Sequence, residues 1–193
     1  MTVTALFVPI LALDFLVMWS LPVLFFENRD GRINLSWFLT ALPFAVAPAL
    51  VLLSHFGVLH TVSIAGAPAL ALGVAGALSS LASIGLVIWT WRTHHTKLSL
   101  WHMENDAPTS IVTSGPYAFI RHPFYTSFLL GMLGALLHAP HAGLLATLIY
   151  SGLALNVTAA REERRLSASA FGAEYAAYRK RTGRFLPRLG ESG

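Results

Sequence analysis

Residues 64–91 read IAGAPALALGVAGALSSLASIGLVIWTW, a stretch without one charged side chain. A helix needs about 20 mainly apolar residues to cross the hydrocarbon core of a bilayer, so this segment is expected to span a membrane. Four more segments carry the same pattern. They are Leu6 to Phe26, broken by Asp14 and Pro22; Leu35 to about Leu59, with Pro43 and Pro48 inside it; Pro123 to about Leu137, which is short and is expected to tilt or run on; and Gly143 to Ala160. The last two are joined by a link as brief as His138-Ala-Pro-His141 and one residue more, so a tight helical hairpin is expected. No basic n-region precedes the first segment, which is therefore not expected to be a cleaved signal peptide.

The basic residues test this segmentation. With five spans, Arg29 and Arg32, then Arg92, Lys97 and Arg121, then the eight from Arg161 to Arg188 all fall on one side, which accounts for all 13 Lys and Arg of the chain. The other side, with the N-terminus and the turns His60 to Ser63 and His138 to His141, holds none. Basic loops stay cytoplasmic. The expectation is an all-α polytopic protein of a bacterial inner membrane, with the N-terminus outside and the C-terminus and site in the cytoplasm.

Composition agrees. Of the 193 residues, 55% are hydrophobic and 11% charged, where a soluble domain carries about 25% charged residues. The mean hydropathy is +0.62. A disordered chain, a nucleic-acid partner and an ordinary soluble enzyme are excluded. With no Cys, so are disulfides, thiolate metal sites and cysteine nucleophiles. No metal set is expected from His55, His60, His138 and His141, read as interfacial or capping. In the third segment Ala69, Gly73 and Ala77 put small residues on one helix face. That face suits close packing within the chain, with a dimer contact as the alternative.

The polar residues gather in 92–122 and 161–193. The first stretch, about 30 residues long, is too aromatic for a linker and ends in Gly115-Pro-Tyr-Ala-Phe-Ile-Arg-His-Pro-Phe-Tyr125. Pro123 suits the first turn of a helix. Arg121 and His122 then stand at its mouth, where free backbone N–H groups suit a carboxylate. The second stretch opens with Arg161-Glu-Glu-Arg-Arg165, after which Leu166, Phe171, Tyr175 and Tyr178 form an apolar stripe. This is read as an amphipathic helix against the membrane or the protein, bent or interrupted at Gly172 and ended by Gly183 and Pro187. Glu162 and Glu163 either pair with Arg161, Arg164 or Arg165, or receive a ligand ammonium.

Thr113-Ser-Gly-Pro-Tyr-Ala-Phe-Ile-Arg-His-Pro-Phe-Tyr125 resembles a conserved segment of the isoprenylcysteine carboxyl methyltransferases, integral membrane enzymes related to phospholipid methyltransferases. Arg161-Glu-Glu-x-x-Leu166, Phe171-Gly-x-x-Tyr175-x-x-Tyr178 and Pro187 follow the same family in the same order. The resemblance covers about residues 100–188. It implies one membrane-embedded domain over 1–193, with three spans in 1–91 and a cofactor-binding half in 92–193. It implies S-adenosylmethionine as cofactor and S-adenosylhomocysteine as product. The cofactor contacts it implies are His102, Thr109, Ser110, Ile111, Val112, Gly115, Tyr117, Arg121, His122, Pro123, Phe124, Tyr125 and Glu163, with Glu163 taking the ammonium. Arg161, His102 and Glu162 are the candidate catalytic residues, Arg161 to orient the acceptor and His102 as base for an amine or hydroxyl. The acceptor is expected to be a lipophilic or prenylated small molecule or protein that enters from the bilayer among membrane lipids. Two positions depart from the pattern: Ala159 stands where those enzymes place a substrate-orienting Arg, and His102 where they usually have Gln. The alternatives are a phospholipid or small lipophilic amine or hydroxyl as acceptor, an NADPH-dependent sterol-reductase-like enzyme, and a non-catalytic scaffold or transporter with Asp14 as coupling site.

Overall fold

A computed structural model describes residues 3–20, 35–93 and 111–188. It is all-helical, and among the described residues there is no strand. Six α-helices follow in order: α1 Val3–Ser20, α2 Leu35–His55, α3 Ala67–Thr93, α4 Pro123–His138, α5 Ala142–Ser167 and α6 Gly172–Arg181. A 3-10 turn at Gly115–Ala118 precedes α4.

Two of these helices, α3 and α5, are long and apolar enough to cross a membrane. The other apolar stretches are shorter: Phe7–Trp19, Thr40–His55 and Pro123–His138. Both long helices expose apolar rows and bury small or hydroxyl residues, beside core positions such as Leu144, Leu155 and Val87. On α5, Leu145, Ile149, Leu153 and Val157 point outward at helical spacing, while Thr147, Ser151 and Thr158 are buried. Each of these three hydroxyls donates to the carbonyl four residues back, which satisfies it without a partner helix. On α3, Leu70, Val74, Leu78 and Leu81 face out, while Gly73, Gly76, Ala77, Ser80 and Ser83 are buried.

Those small residues set the packing. A side-chain carbon on Gly134 of α4 would lie 2.5 Å from Ser80 Oγ and 3.1 Å from the Gly76 carbonyl, and one on Gly73 would lie 2.7 Å from the Phe7 ring. The small face of α3 is thus used within the chain, against α1 and α4. Asp14 of α1 is buried between the same helices and accepts from Ser83 Oγ at 2.7 Å. It has the polar neighbour that a lone carboxyl in an apolar helix needs.

The C-terminal end of α3, the N-terminal end of α4 and the C-terminal end of α5 meet at one end of the bundle, and every described Lys and Arg lies there. Gly115 sits against Thr93 with a φ of 58°, and any side chain there would strike Thr93 Oγ1. At the opposite end Val62 N–H donates to the Pro140 carbonyl, and His141 caps α5 by accepting from Gly143 N–H at 3.0 Å.

The C-terminal stripe does not form one helix. Leu166 belongs to α5 and Phe171 to the turn after it, which leaves Tyr175 and Tyr178 on α6. The break is steric: a side-chain carbon on Gly172 would fall 2.5 Å from the Ser167 carbonyl, so the chain turns too tightly there to continue α5. The two glutamates lie within α5 itself, past its apolar run.

Replacing Gly134 by Val forces α3 and α4 apart and is expected to cost about 1–3 kcal/mol, the usual penalty of overpacking. Gly85→Ala, where a side chain meets nothing within 4 Å, is expected to be neutral or stabilising. Thermal unfolding of the two variants in detergent checks the contrast.

Candidate functional site

The charged end of the bundle is organised around one carboxylate. Glu163 follows the apolar run of α5, and its side chain is 4% exposed. Its Oε1 accepts from Arg121 Nε at 2.9 Å and from Arg184 Nε at 3.1 Å, and its Oε2 accepts from Arg184 Nη2 at 2.7 Å. His122 Nε2 stands 3.3 Å from Oε1. These groups come from three parts of the chain: the segment before α4, the end of α5 and the segment after α6.

Backbone pairing fixes the register. Ile120 and Gly183 form an isolated parallel bridge. Gly183 N–H donates to the Phe119 carbonyl at 3.2 Å, Arg121 N–H to the Gly183 carbonyl at 2.8 Å, and His122 N–H to the Arg184 carbonyl at 3.1 Å. The Arg121 guanidinium also donates through Nη1 to the Thr182 carbonyl. A side chain on Gly183 would collide with the Leu186 carbonyl, so this crossing needs glycine.

Glu162 forms the second half of the site. Tyr125 OH donates to its Oε1 at 2.6 Å, and His122 Nδ1 lies 3.4 Å from its Oε2. The His122 ring stacks flat on Tyr125, with centroids 5.2 Å apart and an interplanar angle of 2°. Phe185 meets both rings edge-on, with centroids 6.1 and 6.5 Å away. Tyr178 OH donates to the Tyr117 carbonyl at 2.7 Å, which ties α6 to the 3-10 turn.

The electrostatics follow from this crowding. Burial of Glu163 by itself favours the neutral acid. The hydrogen bonds from His122, Arg184 and Arg121, with the charge of Arg121, outweigh it and hold the carboxyl far below the usual range. Burial of His122 disfavours the imidazolium, but hydrogen bonds to Glu162 and Glu163 and their negative charges raise its pKa overall.

Of the residues expected at the site, the structure brings together Arg121, His122, Tyr125, Glu162 and Glu163. Pro123 opens α4 as expected, and Phe124 is buried in the apolar core. Ile111 and Val112 are half-buried, Gly115 makes the tight contact with α3, and Tyr117 lies on the 3-10 turn. His102, Thr109 and Ser110 lie outside the described residues. Arg161 is exposed and is not part of the cluster. It stands two residues before Glu163, about 200° around the helix. The local partners Arg161, Arg164 and Arg165 are all exposed, and the ion pairs of Glu163 run to Arg121 and Arg184 instead. Arg121 and His122 stand at the mouth of α4 as expected, and their own backbone N–H groups are taken by the Gly183 and Arg184 carbonyls. The sequence reading missed Arg184, together with Asn156, whose Oδ1 accepts from Arg184 Nη1 at 2.6 Å. The one signal in the sequence was an Arg placed just past a helix stop with no acidic residue beside it.

The family model for phospholipid methyltransferases matches residues 61–174, more than half of the chain and both glutamates and the Arg121–Tyr125 motif within it. The chain belongs to the phospholipid methyltransferase family. It is also 38% identical over 93 residues to the cobalt-zinc-cadmium resistance protein CzcN of Cupriavidus metallidurans. That match covers 47% of this chain and 43% of CzcN, so the chain spans under half the length of this curated relative. No solved structure matches it. Family membership makes this a membrane protein of a methyltransferase family, with the charged end of the bundle as its candidate active site.

His122 gives the site a pH signature. A pKa raised by folding means that the folded state binds the proton more tightly, so this stabilisation is complete below the ordinary histidine value of about 6.5 and is lost as pH rises through the raised value. The Glu163 contribution is present above about pH 4.5 and does not change in that window. The melting temperature is expected to fall as pH rises above about 6.5, and His122→Gln is expected to flatten that slope; melting curves across the range check it.

Proposed function

We infer that the protein is an S-adenosylmethionine-dependent methyltransferase that modifies a lipophilic acceptor at a membrane surface. The observation that carries this reading is the buried Glu163 carboxylate, held with the Arg121–Tyr125 motif at the charged end of an apolar helical bundle in a chain of this family. The residues fit the amino-acid end of the cofactor. Glu163 is a fixed carboxylate for an ammonium, and the two guanidiniums beside it suit a carboxylate. The stacked His122 and Tyr125 rings, with Phe185 on their edge, make an aromatic wall beside those charges, suited to an adenine or a sulfonium.

When bound, the cofactor supplies a methyl group on a sulfonium centre, open to in-line displacement. The chain's own contribution is positioning and exclusion of water. Arg121, locked to Glu163 and to the Thr182 carbonyl, holds the 119–122 segment against the C-terminal segment. Tyr125 and His122 fix Glu162 at the rim.

The motif resemblance supports carboxyl methylation of a prenylated cysteine as the specific form of this activity. The family match supports a phospholipid, or a small lipophilic amine or hydroxyl, as the other acceptor class. A five-span arrangement with the site in the cytoplasm is supported by the collection of every described Lys and Arg at one end of the bundle. The outward apolar faces of α3 and α5 give a lipid-borne acceptor access from the side.

Calorimetric titration of the detergent-purified protein with S-adenosylhomocysteine tests the cofactor, with NADPH in parallel. Micromolar binding of the nucleoside is expected, at least tenfold weaker in Glu163→Gln. Unchanged affinity in the variant removes Glu163 from the cofactor site, and binding of NADPH in place of the nucleoside overturns the reading.

A further inference from the structure

We propose that Arg184 is the residue that receives the cofactor's carboxylate, released from Glu163 as the cofactor's ammonium replaces it there. This rests on the cofactor reading above and adds how the site exchanges partners.

Glu163 has no vacancy for an ammonium. Its two oxygens already accept from Arg121 and Arg184, and His122 stands against one of them. A buried carboxylate stripped of its cations is strongly unfavourable, so a new cation enters by substitution. A zwitterion can do this without changing the charge of the site: its ammonium takes Glu163, and its carboxylate takes the displaced guanidinium. One ion pair becomes two, and no group is left uncompensated.

The structure singles out which guanidinium moves. The Arg121 side chain is 10% exposed, and its guanidinium is also bound to the Thr182 carbonyl. The Arg184 side chain is 30% exposed. Its remaining side-chain partner is Asn156, which is exposed on α5. Three of its five N–H donors are engaged, two on Glu163 and one on Asn156. Arg184 holds Glu163 by two hydrogen bonds, but its guanidinium is the more water-exposed of the two and is otherwise held by an exposed side chain, so Arg184 is the partner that yields. The nearby backbone N–H groups of Arg121 and His122 are already taken by the Gly183 and Arg184 carbonyls.

Three nucleosides separate the charges: S-adenosylhomocysteine, its decarboxylated analogue, and 5′-methylthioadenosine, which lacks both ammonium and carboxylate. Titrated into the full chain in detergent, the wild type is expected to bind S-adenosylhomocysteine at least tenfold tighter than the decarboxylated analogue. Arg184→Gln is expected to shrink that ratio below threefold and leave 5′-methylthioadenosine unchanged. Arg184→Lys, which keeps a cation and covers the case of a misfolded Gln variant, is expected to give an intermediate ratio. A ratio that survives in both variants, or an equal loss for all three ligands, overturns the proposal while the cofactor reading stands. A wild type that binds all three equally overturns it together with the ammonium role of Glu163, whereas one that binds the first two equally and 5′-methylthioadenosine more weakly overturns it alone. Binding of none of them by the wild type overturns the cofactor reading itself.

Discussion

One carboxylate holds the charged end of this protein together. Glu163 stands where the apolar run of α5 gives out, and Arg121 and Arg184 both donate to it. The carboxylate is kept ionised while buried by these two guanidiniums. Around this centre the chain crosses itself once, at the short parallel pairing of Ile120 with Gly183. That crossing delivers His122 and Phe185 to the same place. Removing the Glu163 charge would therefore unsettle three segments together.

The rest of the molecule delivers these segments. Close approach of α3 to α4 depends on Gly76, Gly134 and Ser80, because a side chain at either glycine meets backbone or a hydroxyl. Contacts of this kind suit a lipid surrounding, where burial of apolar surface gives helices little reason to associate and small residues let dispersion do so. The outward rows on α3 and α5 fit the same surrounding. The buried Asp14, bonded to Ser83, ties α1 into this packing. Precision at the charged end thus rests on tight helix contacts well away from it.

Much of this was legible in the sequence, for identifiable reasons. Long uncharged runs reported α3 and α5 because apolar length is a strong signal. Segments interrupted by proline or cut short, such as 35–59 and 123–137, gave helices whose apolar stretches are briefer. The Arg-His-Pro-x-Tyr string and the Glu-Glu pair marked the site because paired charges beside an apolar run demand a partner. Their partners were misread. Sequence proximity pointed Glu163 to Arg161, Arg164 and Arg165, all of which face outward, because helical geometry places a neighbour two residues away on the far side. The distant partner, Arg184, is brought in by the backbone pairing of Phe119–His122 with Gly183–Arg184, far apart in the chain, and a pairing of two short irregular segments leaves no periodic trace. The interruption at Gly172 was legible because glycine in a helical stripe marks a weak point, and the structure ends α5 at Ser167 and starts α6 at Gly172.

Amide hydrogen exchange of the full chain in lipid nanodiscs, with and without S-adenosylhomocysteine, tests the central claim most directly. The account predicts that the ligand slows exchange together at 119–122, at the end of α5 around Glu163 and at 182–185, while the far end near His141 is unchanged. Protection confined to the far end, or no change in any of the three segments under saturating ligand, would contradict it.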